Sequence, residues 1–290
     1  MATSNPIKLL FSVPSAVLPK PLPSPEDVEN STDVLQETIA RRTVRLSDCY
    51  VVKHGVEVEP IEGENMLFVR ENGGIPIPRL FAIFQRPIEA GSEVLSTFIV
   101  MENIPGATLQ SQWPSLTDDE KASIARHLRE SFDLLRNIPS PGYFGALGER
   151  KLTDDVFWTS EDIRDINGPF ETSNELVNGI VNRYIRDGGD RVIHKAAYYA
   201  RVLPGVLQAD RSVFSHNDLQ RKNIIIRPDG KVVIVDWAGA GWYPPFWEYA
   251  TAMFAIGDWR DDWHLYVAQI LDEFPNQYSW LSAIRCEMWG

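Results

Sequence analysis

Cysteine is scarce: Cys49 and Cys286 are the only two in 290 residues. Two cysteines cannot build a disulfide framework or a Cys-rich zinc module, and they suit a reducing compartment. Basic residues fall short of acidic ones, 28 against 40, leaving a net charge of −12. Binding to nucleic acid or to an anionic membrane needs clustered lysine and arginine, so neither is an expected partner. No apolar run approaches the roughly 18 residues that a membrane span takes. Internal repeats and low-complexity blocks are absent, and His54, His127, His194 and His264 lack the spacing of a metal site. What remains, 44% hydrophobic and 23% charged, is the composition of a globular chain long enough for two lobes.

Six prolines, Pro6, Pro14, Pro19, Pro21, Pro23 and Pro25, exclude a long helix over residues 1–25 and predict an extended arm. Residues 7–18 are apolar but broken at Pro14, with no basic leader before them beyond Lys8. They do not read as a secretory leader, and the expected location is the cytoplasm. Residues 41–53 carry β-branched and aromatic residues around Ser47-Asp48, which predicts a hairpin. A helix is expected over 62–72, with Met66 and Val69 on one face, and short strands over 80–84 and 98–101.

Beyond Glu102 the period changes. Thr117 and Glu120 form a capping box ahead of Ile124, Leu128, Phe132 and Leu135 at helical spacing. Thr172 and Glu175 repeat the pattern, and residues 246–256 and 262–274 also read as helical. The expected fold is therefore α+β and two-lobed: an arm and the start of the small lobe in 1–40, a β-rich lobe in 41–103, and a larger helical lobe in 104–290.

The chemistry-bearing stretch is 214–248. Asp229-Gly230 between two β-rich runs predicts a hairpin with a two-residue loop. That register sets Arg227 opposite Val232, Ile225 opposite Ile234, and Asn223 opposite Asp236. An amide oxygen and a carboxylate then share the open end, with Asp218 on the loop leading in. Hard oxygen donors of this kind suit Mg²⁺. An acid standing apart from the metal can accept a substrate proton, which is the division of labour in phosphoryl transfer.

His216-Asn217-Asp218-Leu219-Gln220-Arg221-Lys222-Asn223 resembles the H-G-D-x-x-x-x-N catalytic loop of the aminoglycoside phosphotransferase family, which is related to choline kinases and shares the protein-kinase-like fold. Val235-Asp236-Trp237 resembles the family's I-D-W segment, and the similarity runs from about residue 41 to about 274. The resemblance implies an ATP- and Mg²⁺-dependent transfer of the γ-phosphate to a hydroxyl of a small molecule. It implies Asp218 as catalytic base, Asn223 and Asp236 as Mg²⁺ ligands, and His216 and Glu248 as supports of the loop. Lys53 would hold the nucleotide phosphates with Glu62 as its ion-pair partner, Glu64 being the alternative. Glu102 and Ile104 would offer hinge backbone groups to adenine. The sequence departs from the pattern in three places. Asn217 replaces a glycine, Gln220 stands where protein kinases carry a lysine, and 37–43, at the place of the phosphate-covering loop, contains no glycine. Phosphate contact there would fall to a wider loop or to Arg41 and Arg42.

A non-catalytic kinase-like nucleotide-binding scaffold is the alternative reading, and a protein kinase the third. Trp237, Trp242, Tyr243, Phe246 and Trp247 read as core beneath the catalytic loop, or else as a stacking wall. Six acids in 250–290, Asp258, Asp261, Asp262, Asp272, Glu273 and Glu287, would favour a cationic substrate if they lined the acceptor pocket. The other reading makes them a solvated face.

Overall fold

The computed structural model describes residues 7–289; Pro6 and the rest of 1–6 lie outside the described residues. In chain order the first elements are β1 (Lys8–Ser12), α1 (Pro25–Glu29), β2 (Val34–Glu37), β3 (Arg41–Leu46), β4 (Tyr50–Gly55), α2 (Ile61–Asn72), β5 (Leu80–Pro87) and β6 (Leu95–Glu102). Their six strands form one antiparallel sheet in the order β1-β5-β6-β4-β3-β2. The arm therefore does more than trail along the surface. Lys8–Ser12 adds an edge strand to β5, which it can do because the arm's prolines all lie outside those five positions.

Strand alternation gives the sheet two covered faces. Phe98 and Val100 pack with Val28, Val44 and Val52 on one side. Ile99 and Met101 face α2, joining Met66 and Val69 in a core that continues into the second lobe through Leu128, Phe132 and Trp237.

That lobe comprises β7 (Ala107–Thr108), α3 (Leu109–Gln112), α4 (Asp118–Arg136), α5 (Arg164–Asn167), α6 (Ser173–Gly188), α7 (Ile193–Val206), β8 (Val213–Ser215), β9 (Ile224–Ile226), β10 (Val232–Ile234), β11 (Gly241–Tyr243), α8 (Trp247–Phe254), α9 (Trp263–Ile270) and α10 (Pro275–Trp289). The Thr117 box is complete: its side chain accepts the Glu120 N–H, and the Glu120 carboxylate accepts the Thr117 N–H at 2.8 Å. At α6 only half of it forms. Thr172 accepts the Glu175 N–H, but the Glu175 carboxylate turns to the N–H of Glu171. The aromatic group from Trp237 to Trp247 is core, each ring no more than 3% exposed. Among the described residues no helix is long and apolar enough to cross a membrane.

One expected register is off by a residue. The β9–β10 hairpin pairs Ile226 with Val232, Ile225 with Val233, and Ile224 with Ile234. Its loop has three residues, closed by the Arg227 N–H donating to the Lys231 carbonyl at 3.0 Å. Pro228 is the reason. A two-residue loop would make it a ladder partner, and it has no N–H to give. Its fixed φ instead starts the turn, and Gly230 takes the left-handed position at φ +81. Asn223 therefore lies opposite Val235, whose N–H donates to the Asn223 carbonyl at 2.9 Å.

Candidate active site

The one-residue slip would by itself carry Asp236 to the wrong side of the ribbon. The backbone corrects it. Asp236 adopts φ +65, so the strand ends there and the chain turns. Asp236, Asn223, Lys53, Glu62, Glu102 and Ile104 all line one cavity of about 400 Å³ between the sheet and the hairpin.

Lys53 is the centre of its charge. The ammonium lies 2.7 Å from Glu62 and 2.8 Å from Asp236, with its side chain only 8% exposed. Burial works against the Lys53 charge, but Glu62 and Asp236 outweigh it and raise the pKa. For Asp236 burial is likewise the largest influence and would raise the carboxyl, yet Lys53 holds it below the usual range. Glu64 turns away and pairs with Arg150. Helix α2 brings a further residue that the sequence did not single out. Asn65, one turn after Glu62 and fully buried, donates to the carbonyls of Trp237 at 2.9 Å and Ala240 at 3.3 Å. One helix face thus holds both the lysine and the backbone just past Asp236.

The loop from His216 to Asn223 ends in a turn of 3-10 helix, Arg221–Asn223, rather than running straight into strand. His216 is buried, with Nε2 3.0 Å from the Val235 carbonyl and Nδ1 accepting the Asp218 N–H at 3.2 Å. This geometry assigns the proton to Nε2 and ties the loop to the ribbon. Glu248 accepts the Asn217 N–H on both oxygens, at 3.1 and 2.9 Å. Burial pushes its carboxyl up, and those bonds offset part of that effect.

The carboxylate of Asp218 accepts Nδ2 of Asn223 at 2.7 Å and is also bonded by the Gln220 amide. Lys222 places its ammonium 3.8 Å from Asp218 and lines the same cavity. With Nδ2 turned to Asp218, the Asn223 amide oxygen is the atom left to face a cation. Among the described residues no three His, Cys, Asp or Glu side chains are grouped to hold a metal. One carboxamide and one carboxylate nevertheless fit Mg²⁺, which keeps most of its shell for phosphate and water.

The glycine at 217 in the family pattern has a conformational explanation. Asn217 sits at φ +65, in the left-handed region that glycine and asparagine tolerate best. Its amide also donates to Asp154 Oδ2 at 3.2 Å. Asp154 is a second residue without a sequence signal. It is buried and held by Arg285 at 2.8 Å and by the Trp247 indole at 3.0 Å. At the glycine-free loop, the backbone of 38–41 crosses β4 so closely that a Cβ on Gly55 would lie 2.2 Å from the Ala40 carbonyl oxygen. The required glycine is thus in the facing strand. Arg41 lines a smaller chamber with Lys53 and Glu62. Arg42 does not reach it; its guanidinium donates to the carbonyls of Glu29 and Ser31, both at 2.9 Å.

The six C-terminal acids are each engaged: Asp258 with Arg260, Asp261 with Arg221, Asp262 with Lys121, Asp272 with Arg129, Glu287 with Lys195, and Glu273 with the Tyr249 hydroxyl. They do not form an unpaired acidic lining.

With this geometry in hand, comparison with known families gives a match to the phosphotransferase enzyme family over residues 31–280. The chain belongs to that family. Solved structures with the same fold include the GDP and kanamycin complex of APH(2")-IIia, at 13% identity and TM-score 0.57, covering 89% of this chain and 84% of that one. A thermostable mutant of aminoglycoside phosphotransferase APH(4)-Ia with ADP and hygromycin B matches at 18% identity and TM-score 0.53, covering 91% and 85%. The GDP complex of aminoglycoside 2'-phosphotransferase-IIIa matches at 13% and 0.56, covering 88% and 83%. No curated protein sequence matched. The phosphotransferase thus has the two-lobed kinase-like fold.

Proposed function

We propose that this phosphotransferase moves the γ-phosphoryl group of ATP to a hydroxyl of a small molecule, in the cytoplasm, with Mg²⁺ as cofactor. One observation carries the reading: the buried Lys53, held by Glu62 and Asp236, opens on the same cavity as Asn223, and Asn223 is bonded to Asp218. Lys53 neutralises the nucleotide phosphates, and the hinge at Glu102–Ile104 receives the base. Mg²⁺, held by Asn223 and Asp236, supplies charge neutralisation of the phosphates. Asp218 accepts the proton of the acceptor hydroxyl as its oxygen bonds to the γ-phosphorus. The bond from that phosphorus to the β,γ-bridging oxygen breaks, and ADP leaves with the electron pair. Asp218 is positioned for this by the amides of Gln220 and Asn223 and by its own N–H on His216.

Because the six C-terminal acids have partners, the acceptor is assigned by its hydroxyl alone. The test is a phosphorylation screen of hydroxyl-bearing metabolites with Mg·ATP, using Asp218→Asn as the blank. Products should form with wild type only, and Mg·ATP should raise the Tm of both proteins. Equal turnover by the variant, or no thermal shift at millimolar nucleotide, overturns the reading.

A further inference from the structure

A second, larger cavity of about 740 Å³ lies behind the hinge. It shares Glu102, Asn103 and Ile104 with the active-site cavity, so these three residues are the wall between the two. Its size falls in the range of roughly 300–1,000 Å³ usual for small-molecule pockets. Four cations line it: Arg70 in the last turn of α2, Arg79 just before β5, Arg227 just after β9, and Lys231 just before β10.

In a chain of net charge −12, such a concentration is out of keeping with the whole. Among the described residues Arg70, Arg79 and Lys231 form no ion pair; Arg79 stands over the Phe81 ring, 5.6 Å from its centroid. Arg227 Nε is buried without a hydrogen-bond partner, and the carboxylate of Asp229 is 3.5 Å away. Of the acids in the wall, Asp48 pairs with Lys20 at 2.7 Å, and Glu102 accepts the backbone N–H of Arg79 at 3.1 Å. Arg227 is thus only loosely paired, and crowding like charges around one concavity is costly. An anion would relieve that crowding.

We propose that this groove binds a small anion with at least two negative charges, carried on phosphate or carboxylate groups. Arg70 and Arg79 hold it from the sheet lobe, and Arg227 and Lys231 hold it from the hairpin. Planar guanidinium forks match both kinds of oxyanion. Since Asn223 and Asp236 flank the same hairpin, the anion braces the joint from the side opposite the active site. Its binding is thereby coupled to that of nucleotide.

Pyrophosphate and citrate, titrated calorimetrically, test the proposal with three proteins: wild type, Arg70→Gln/Lys231→Gln, and Lys53→Met. Arg70 and Lys231 are exposed and outside the active site, so the double variant should keep wild-type Tm and AMP-PNP affinity. Saturable binding is expected in wild type and Lys53→Met, weakening with added salt. The double variant should bind roughly a hundredfold more weakly, for two lost charge-assisted bonds. Tighter pyrophosphate marks a phosphate ligand, and tighter citrate a carboxylate one. The proposal fails if neither probe saturates at millimolar concentration, or if binding is lost in Lys53→Met and kept in the double variant. Neither failure touches the assignment of the transfer reaction, which the Asp218→Asn comparison judges.

Discussion

The side-chain amide of Asn217 donates to Asp154 Oδ2 at 3.2 Å, and the same oxygen accepts the Trp247 indole at 3.0 Å. The residue before the proposed base is thereby fastened to a buried carboxylate 63 positions earlier in the chain.

Replacing Asn217 by glycine keeps the left-handed backbone and removes only that bond. Losing about 1 kcal/mol of positioning should lower kcat about fivefold and leave the KM for nucleotide unchanged. Asn217→Ala adds the left-handed penalty of roughly 1 kcal/mol and should also lower Tm. Steady-state kinetics beside a melting curve separates the two. A glycine variant with wild-type kcat would show that the tether does not position Asp218.

Asp154 and Arg285 are only 4% and 6% exposed, so removing either partner strands a buried charge. Arg285→Met should cost about 3–5 kcal/mol in denaturant unfolding. For Asp154, burial alone would raise the carboxyl, but Arg285 outweighs it and holds the pKa below 3.8. A depressed carboxyl contributes stability that is complete above its unfolded value and is lost as pH falls through the folded one. The Tm difference between wild type and Asp154→Asn should therefore hold steady from neutral pH to about 4 and shrink below it. A gap unchanged at strongly acid pH would contradict the ion-pair account.

The two arginines of the glycine-free loop should part company. Arg41→Ala is expected to raise the nucleotide KM about tenfold, the loss of one charge-assisted contact. Arg42→Ala should leave KM alone and lower Tm by roughly 2–4 °C, since its bonds go to the backbone of Glu29 and Ser31. The reverse pattern would place Arg42, and not Arg41, on the phosphates.

For the proposed base, Asp218→Asn should cut kcat by about 10²–10⁴-fold. Nucleotide binding, followed by fluorescence or thermal shift, should stay near wild type. Metal chelation should silence the wild type, and added Mg²⁺ should restore it.

Local patterns made much of this fold legible. The Thr117 box, the Ser47-Asp48 turn and the helical spacing of Met66 and Val69 each depend on residues a few positions apart. The hairpin register failed at Pro228, where a missing donor overrode the Asp-Gly turn signal. The edge strand at Lys8–Ser12 was hidden because its pairing with β5 joins residues at least 70 positions apart. Asp154 and Arg285 are 131 positions apart, and nothing local to either marks the other. The C-terminal acids were visible as charges, but their partners, such as Lys121 for Asp262, come from distant elements.

Helix α2 is pinned at three points. Glu62 grips Lys53, Asn65 grips the chain beyond Asp236, and a Cβ on Gly63 would lie 2.5 Å from the Ile83 side chain. An outward swing of this helix would have to break an ion pair and two buried amide bonds together. The salt link on Lys53 and the backbone past Asp236 therefore stand or fall with the seating of one helix, and a change that loosens α2 disturbs both at once.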